Sequence, residues 1–359
     1  MRALKAIFNT SAFTQNLKIV RDLAPESKIM AVLKANAYGH GLIDVARALS
    51  SAEGFSVLSL SEAIDLREHG FDQYILLLEG FFSAYEVKVC SQMNISAVIH
   101  DNRQIDFINQ TKPKNPINIH LKVNTGMNRL GFSVNGLEKL LVSLEASPYI
   151  GNIILMTHFA NADGPIGINE QLILFNNITN LNYERSVANS AAIMRYPETH
   201  MEWVRPGIML YGASPFEDQN SNDIQLNPVM TLRSKIIAIQ TLQKGESVGY
   251  GSTFIAPKKT RVGIVACGYA DGYPRHAPSG TPVMIDKKLS HTLGRVSMDM
   301  LYVNISDIPS ADIDSDVELW GENVMVDDVA RESRTVGYEL LCAISSSIRV
   351  PMEYANGKK

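Results

Sequence analysis

The chain has 359 residues, 45% of them hydrophobic and 19% charged, with a formal net charge of −4. That length suits two domains with a large core, and the slight negative balance excludes the basic footprint of a nucleic-acid binder or an anionic-membrane partner. Three scattered cysteines, Cys90, Cys267 and Cys342, lack metal-like or redox-like spacing and read as free thiols in a reducing compartment.

The opening stretch MRALKAIFNTSAFTQNLKIV lacks a continuous apolar region followed by a small-residue cleavage site, so no secretory signal is expected. No apolar run approaches the ~20 residues of a membrane helix. The expectation is a soluble cytoplasmic protein with no membrane partner.

Short apolar runs, many β-branched, follow in order: IMAVL from Ile29, FSVLSL from Phe55, YILLL from Tyr74, ISAVI from Ile95, INIHLKV from Ile117, IILMT from Ile153, ERSVA from Glu184 and WVRPGIML from Trp203. Between them lie amphipathic stretches such as GLIDVARALS, SEAIDLREHG and NGLEKLLVSLEAS, with Ser or Asn near their starts as N-caps. Eight strand-like runs alternating with helices predict parallel βαβ units and an N-terminal (β/α)8 TIM-like barrel, a fold of ~250 residues. A doubly wound sheet is the runner-up. After about Asp223 the pattern becomes alternating runs, RSKIIAIQTL, RVGIVACGYA and TPVMID, separated by turns. This predicts a mostly β C-terminal domain at 225–359 behind a barrel at 1–224, joined by the polar stretch SPFEDQNSNDIQLNP.

Lys34 falls at the end of the first strong strand, in AVLKANAYGHG. Catalytic groups of a barrel gather at the C-terminal ends of its strands, and a lysine held there against apolar neighbours has a lowered pKa and an amine available for a Schiff base. Asn36, Tyr38, Gly39, His40 and Gly41 add hydrogen-bonding groups and a glycine turn suited to a phosphate. Alone, a lysine at a strand end more often points to water.

AVLKANAYGHG resembles the pyridoxal-phosphate attachment motif of the alanine racemase family. The resemblance continues through HLKVNTGMNRLGF, MTHFANAD, VANSAA, WVRPGIMLYG, VGYGSTF, CGYADGYPR and GRVSMDM, in order and at compatible spacing over nearly the whole chain. It implies that Lys34 carries pyridoxal 5′-phosphate and serves as one catalytic base. Tyr38, Ser190 and the backbone N–H groups of Gly207 and Ile208 are implied for the phosphate, His158 beside the cofactor ring, and Arg205 at the pyridine nitrogen. Arg129 and the Met298 backbone are implied at the substrate carboxylate, Tyr269 at the entrance with Asp299 near it, and Lys122 at the place of a lysine that is carbamylated in several family members, the alternative being an unmodified lysine paired with a nearby carboxylate. Tyr250 is implied as the second base, reaching the site of the partner subunit of a homodimer.

The implied reaction interconverts L- and D-alanine through an external aldimine by two-base proton transfer at Cα, supplying D-alanine for peptidoglycan. No metal is called for. An arginine does not readily lend a proton, so Arg205 leaves the ring nitrogen unprotonated and electron withdrawal weak, which suits racemisation. Two departures stand out: Asn124 occupies a place where many relatives have Asp, and CAISSSIRVP has Ile348 before Arg349 where relatives often carry a phosphate-binding tyrosine, so that either a serine such as Ser347 substitutes or the phosphate is held without that contact. A barrel-type amino-acid decarboxylase would need an acid at the ring nitrogen and a cysteine motif. A non-catalytic cofactor-binding barrel would dispense with the second domain. A broader-specificity or serine racemase of the same family is the remaining alternative.

Overall fold

The computed structural model describes residues 2–178, 182–346 and 349–355, with the side chains of Ser345 and Ser346 left aside. The first strand, β1 (Lys5–Asn9), lies outside the barrel. The barrel is closed by β2 (Lys28–Val32), β3 (Gly54–Val57), β4 (Tyr74–Leu77), β5 (Ser96–Ile99), β6 (Ile117–Lys122), β7 (Ile150–Met156), β8 (Glu184–Ser186) and β9 (Trp203–Val204). These are the eight runs read from the sequence. Closure comes from β9 pairing in parallel with β2, Lys28 opposite Trp203 and Ile29 opposite Val204, so the open doubly wound sheet is excluded.

Side chains from alternating positions fill the barrel. Met30, Leu76, Val98, Ile154, Met156 and Trp203 form one buried cluster, with Tyr74 and Leu78 packed against it. The outer helices start where the sequence supplies acceptors. Ser59 caps Leu60–Glu68 in a capping box with Glu62, Ser83 caps Ala84–Gln92, and Asp101 caps Asn102–Thr111. Leu137–Glu145 instead starts from Gly136 with no side-chain cap, although an Asn precedes it.

The remaining strands are β10 (Met230–Leu242), β11 (Ser247–Val248), β12 (Phe254–Ile255), β13 (Thr260–Val265), β14 (Pro282–Ile285), β15 (Lys288–Leu293), β16 (Leu301–Asn304), β17 (Asp316–Trp320) and β18 (Met352–Ala355). An eight-stranded sheet runs β13-β16-β15-β14-β17-β10-β1-β18, and β10 also pairs with β13 beyond an irregularity at Ile236–Ala238. Two helices, Val326–Glu332 and Gly337–Ser346, accompany this mostly β part.

The chain divides into two compact units, Leu17–Ala37 with Leu42–Leu210, and Met1–Asn16 with Tyr38–Gly41 and Tyr211–Lys359. This partition differs from a single cut between 224 and 225. For the N-terminal segment the reason is β1, whose residues Lys5 to Phe8 pair with Arg233 to Met230 of β10, while Ala6 to Asn9 pair with Met352 to Ala355 of β18. Strand pairing carries the N-terminal segment into the sheet unit. No helix among the described residues is long and apolar enough to cross a membrane.

Candidate active site

Lys34 follows the fully buried Leu33 at the end of β2 and opens a five-residue left-handed turn, Lys34–Tyr38. Ala35, Asn36, Ala37 and Tyr38 have φ between 49° and 57°, a conformation that L-residues rarely hold in succession. Side-chain and backbone partners hold it there. Ala37 N–H donates to the Leu33 carbonyl (2.8 Å), Asn36 N–H to Glu62 Oε1 (3.1 Å), and Leu42 N–H to Asn36 Oδ1 (2.8 Å). Asn36 therefore caps the helix Leu42–Ala48, and its side chain is engaged as an acceptor. Such strain gathers at functional positions.

Lys122, His158 and Arg205 also stand at or just past the C-terminal ends of their strands, β6, β7 and β9. Arg205 is buried. Its Nη1 donates to the Ser186 carbonyl (2.5 Å) and Oγ (2.8 Å), and its Nη2 to the carbonyls of Thr157 (2.8 Å) and Val187 (3.3 Å) and to His158 Nδ1 (3.4 Å). All these acceptors are neutral, and burial pushes the guanidinium down to about 9. The Lys122 amine lies well below the usual lysine range, from burial first and then from the charges of Arg205, Arg129 and Lys34. His158 is held well below the ordinary imidazole value by burial and by Arg205, Lys122, Arg129 and Lys34. Lys122, Arg129, Thr157 and His158 line one small cleft.

Arg129 is carried by a loop that folds back onto β6. Phe132 N–H donates to the Lys122 carbonyl (2.8 Å), and Asn124 N–H to the Phe132 carbonyl (2.9 Å). Asn124 organises the loop tip. Its Oδ1 accepts from the N–H groups of Gly126 (3.1 Å) and Asn128 (3.0 Å), and its Nδ2 donates to Asn128 Oδ1 (3.0 Å). An aspartate would supply the acceptor but not that last donor.

Ser190 opens the helix Ser190–Arg195, but the N-cap is Asn189, whose side chain accepts from Ala192 N–H. Ser190 Oγ instead accepts from Gly207 N–H at 2.8 Å. Ile208, fully buried, begins a short 3-10 turn to Tyr211. The structure thus joins Ser190 and Gly207, and leaves the capping duty to the neighbouring asparagine.

In the sheet unit, Tyr38 is buried, its ring centroid 4.6 Å from that of Tyr211 and 5.9 Å from that of Tyr338, and burial raises its hydroxyl pKa. His40, also buried, donates from Nδ1 to the Tyr38 carbonyl (2.9 Å) and packs among the rings of Phe8, Phe13 and Tyr211. Tyr250 stands on a turn between Gly249 and Gly251, both at positive φ, and is 72% exposed. Tyr269 and Met298 lie on adjacent turns, with Tyr269 N–H donating to the Ser297 carbonyl (3.1 Å) and Ala270 N–H to that of Met298 (3.0 Å). Asp299 accepts from Arg349 Nη2 at 2.5 Å. Ser347 and Ile348 lie outside the described residues.

Two further residues bear on these groups: His120, which opens the HLKVNTGMNRLGF run, and Gln171, which lies outside the quoted motifs. His120, two residues before Lys122 on β6, is fully buried, and neither ring nitrogen has a hydrogen-bond partner among the described residues. Burial and the charges of Arg205 and Lys122 push it down to about 3. Gln171 braces the loops after β6 and β7, donating to Thr125 Oγ1 and the His158 carbonyl (both 3.1 Å) and accepting from Ala160 N–H (2.8 Å). The alternation of INIHLKV places His120 on the same strand face as Lys122, the one signal available beforehand.

Known proteins match this chain along almost its full length. The family described as "Alanine racemase, N-terminal domain" matches residues 8–215, and "Alanine racemase, C-terminal domain" matches 229–354. The alanine racemase of Nitrosospira multiformis is 49% identical over 96% of this chain and 98% of its own length. The catabolic alanine racemase of Klebsiella aerogenes is 50% identical over 98% and 99%. The crystal structure of the biosynthetic alanine racemase from Pseudomonas aeruginosa superposes with a TM-score of 0.96 at 43% identity, covering 99% of this chain and all of that one.

Proposed function

The chain belongs to the alanine racemase family, and we propose that it interconverts L- and D-alanine with pyridoxal 5′-phosphate held covalently by Lys34. One observation carries this reading. Lys34, Lys122, His158 and Arg205 at the barrel-strand ends, with Arg129 on the loop after β6, form a set of nitrogen-bearing groups whose charges bear on Lys122 and His158, and among the described residues no carboxylate figures among the charges acting on Lys122, His158 or Arg205. Such a set calls for an anionic occupant, and a phosphorylated pyridine that also meets a substrate carboxylate fits it.

When bound, that cofactor supplies electron withdrawal that acidifies the Cα–H bond of the amino acid. Lys34 anchors it and, as an amine near the reacting carbon, takes or returns the proton on one face. Tyr250 of the partner subunit does so on the other, so either enantiomer can be deprotonated. The exposure of Tyr250 supports a role completed by a second copy of the chain. Arg205 can only donate, which leaves the ring nitrogen as an acceptor and keeps the withdrawal modest, enough to move one proton and unfavourable to transamination or decarboxylation. His158 supports Arg205 beside the ring. Tyr38, Ser190 and the amides of Gly207 and Ile208 are assigned to the phosphate, and Arg129 and the Met298 backbone to the substrate carboxylate. Tyr269 narrows the entrance to the size of a methyl side chain. The lowered Lys122 pKa favours its neutral amine, the form that can be carbamylated to face Arg129 with negative charge.

We further propose a cytoplasmic homodimer that supplies D-alanine to peptidoglycan. Relatives with "catabolic" and "biosynthetic" in their names both resemble this chain. A racemase catalyses both directions, so metabolic supply and demand, not the site, decide between those uses.

The test is racemisation of L- and D-alanine beside serine and larger amino acids, together with borohydride reduction and peptide mass analysis. Racemisation confined to alanine, with a pyridoxyl group on Lys34, is the expected result. Equal turnover of serine would favour the broader-specificity alternative. A fully active Lys34→Ala protein would overturn the assignment of the anchor.

A further inference from the structure

Asp271 is a fully buried carboxylate gripped by arginines from two distant parts of the chain. Arg2 approaches as a fork, Nη1 to Oδ1 at 2.5 Å and Nη2 to Oδ2 at 3.0 Å, and Arg349 Nε lies 3.3 Å from Oδ1. The Gly268 N–H donates to Oδ2 at 3.0 Å. The same two arginines reach Asp299: Arg2 Nη2 donates to its carbonyl (2.8 Å) and Arg349 Nη2 to its Oδ1 (2.5 Å). Two guanidinium groups and two carboxylates make a balanced cluster, the condition under which a buried charge is tolerable.

Asp271 ends the turn that begins at Gly268 and carries Tyr269, and Asp299 directly follows Met298. The two turns are also fastened through backbone, from Tyr269 and Ala270 N–H to the Ser297 and Met298 carbonyls. They approach so closely that a Cβ on Gly268 would lie 2.4 Å from the Met298 carbonyl. The charged cluster and the backbone contacts therefore fix one object, the paired turns bearing Tyr269 and Met298.

We propose that Asp271, with Arg2 and Arg349, is a positioning residue for substrate binding. It sets where the Tyr269 ring and the Met298 backbone stand, and so governs affinity for the amino acid more than proton transfer, which Lys34 and Tyr250 perform elsewhere in sequence. This rests on the roles given above to Tyr269 and Met298. Arg2 is partly exposed and can be changed without emptying the core, whereas Asp271→Asn would leave two arginines facing an amide and endanger folding.

The experiment compares the unaltered enzyme with Arg2→Gln, Arg2→Lys and Arg2→Gln/Arg349→Gln by steady-state kinetics in both directions and by amide hydrogen exchange of the 268–271 segment. Losing one charge-assisted pair should raise KM about tenfold for both enantiomers with kcat within about twofold, with Arg2→Lys partly restoring it and the double variant further impaired. Exchange in 268–271 should quicken in step. Unchanged exchange in Arg2→Gln overturns the positioning role, whatever the kinetics. Quickened exchange with unchanged KM, or a fall in kcat alone, overturns the link to substrate affinity. Absence of racemisation by the unaltered enzyme would instead overturn the functional reading, and the affinity claim with it.

Discussion

The Arg205 guanidinium and the His158 imidazole meet at 3.4 Å, Nη2 to Nδ1. Arginine has no acceptor, so Nδ1 of His158 must be the unprotonated nitrogen and Nε2 carries the proton. Burial first, and then Arg205, Lys122, Arg129 and Lys34, keep the ring from gaining a second proton. The expected outcome is a nitrogen-15 spectrum in which His158 Nδ1 keeps the shift of an unprotonated nitrogen as pH falls through 6.5. Protonation at the ordinary imidazole value would remove this account of the ring.

Acid should weaken the barrel through His120. Its folded pKa of about 3 lies below the unfolded 6.5, so between those values the unfolded chain binds a proton that the native chain does not. Stability is then lost as pH falls below 6.5, with a slope approaching about 1.4 kcal/mol per pH unit for this one group. Denaturant unfolding at pH 7, 6 and 5 should show that slope, and His120→Leu should flatten it. An equal slope in the variant would assign the acid sensitivity to other groups.

Asp327 should act in the opposite sense. Burial raises its carboxyl to about 6, although the N–H groups of Ser214 (3.0 Å) and Ser221 (2.8 Å) donate to it. The folded chain binds the extra proton between about 3.8 and 6, so this residue's contribution declines as pH rises through that window, by at most about 3 kcal/mol. The stability of the unaltered protein relative to Asp327→Asn should therefore fall from pH 4 to pH 7. A difference that grew with pH would contradict the sign.

Gly131→Ala should disable the loop bearing Arg129. Gly131 has φ of 122°, and an added Cβ would come within 2.8–2.9 Å of the backbone at Asn124, Lys122 and Val123, atoms that cannot turn aside. The cost is about 2–4 kcal/mol of stability, and KM for alanine should rise with it as Arg129 shifts. Gly136→Ala is the control. It also has positive φ but meets nothing within 4 Å, so it should cost only the backbone strain of about 1–2 kcal/mol. Similar losses in both would indicate strain alone.

Much of the fold was legible because the βαβ pattern is local. Runs such as IMAVL and YILLL became barrel strands because each is a short buried segment followed by an amphipathic stretch. Lys34 could be singled out because a strand end is a position readable in the chain, whereas Lys122, His158 and Arg205 were named only by the resemblance of their motifs; the barrel brings all such strand ends to one side. The cap of the helix Ser190–Arg195 is not legible in the same local way. Asn189 and Ser190 are both competent caps, and the choice depends on Ser190 Oγ accepting from Gly207, seventeen positions away.

Lys34 directly after a buried apolar run, the order of the eight barrel strands and the change to a β-rich second part were determined by the sequence itself, since they follow from neighbours within a few residues. Tertiary structure decided that Lys5–Asn9 leaves the barrel for the C-terminal sheet, because strand pairing rewards partners that no local window contains. It also decided that His120 and His158 are neutral and that Asp271 holds two distant arginines. Desolvation and charge pairing depend on what surrounds a group in space, and those surroundings exist only once the chain has folded.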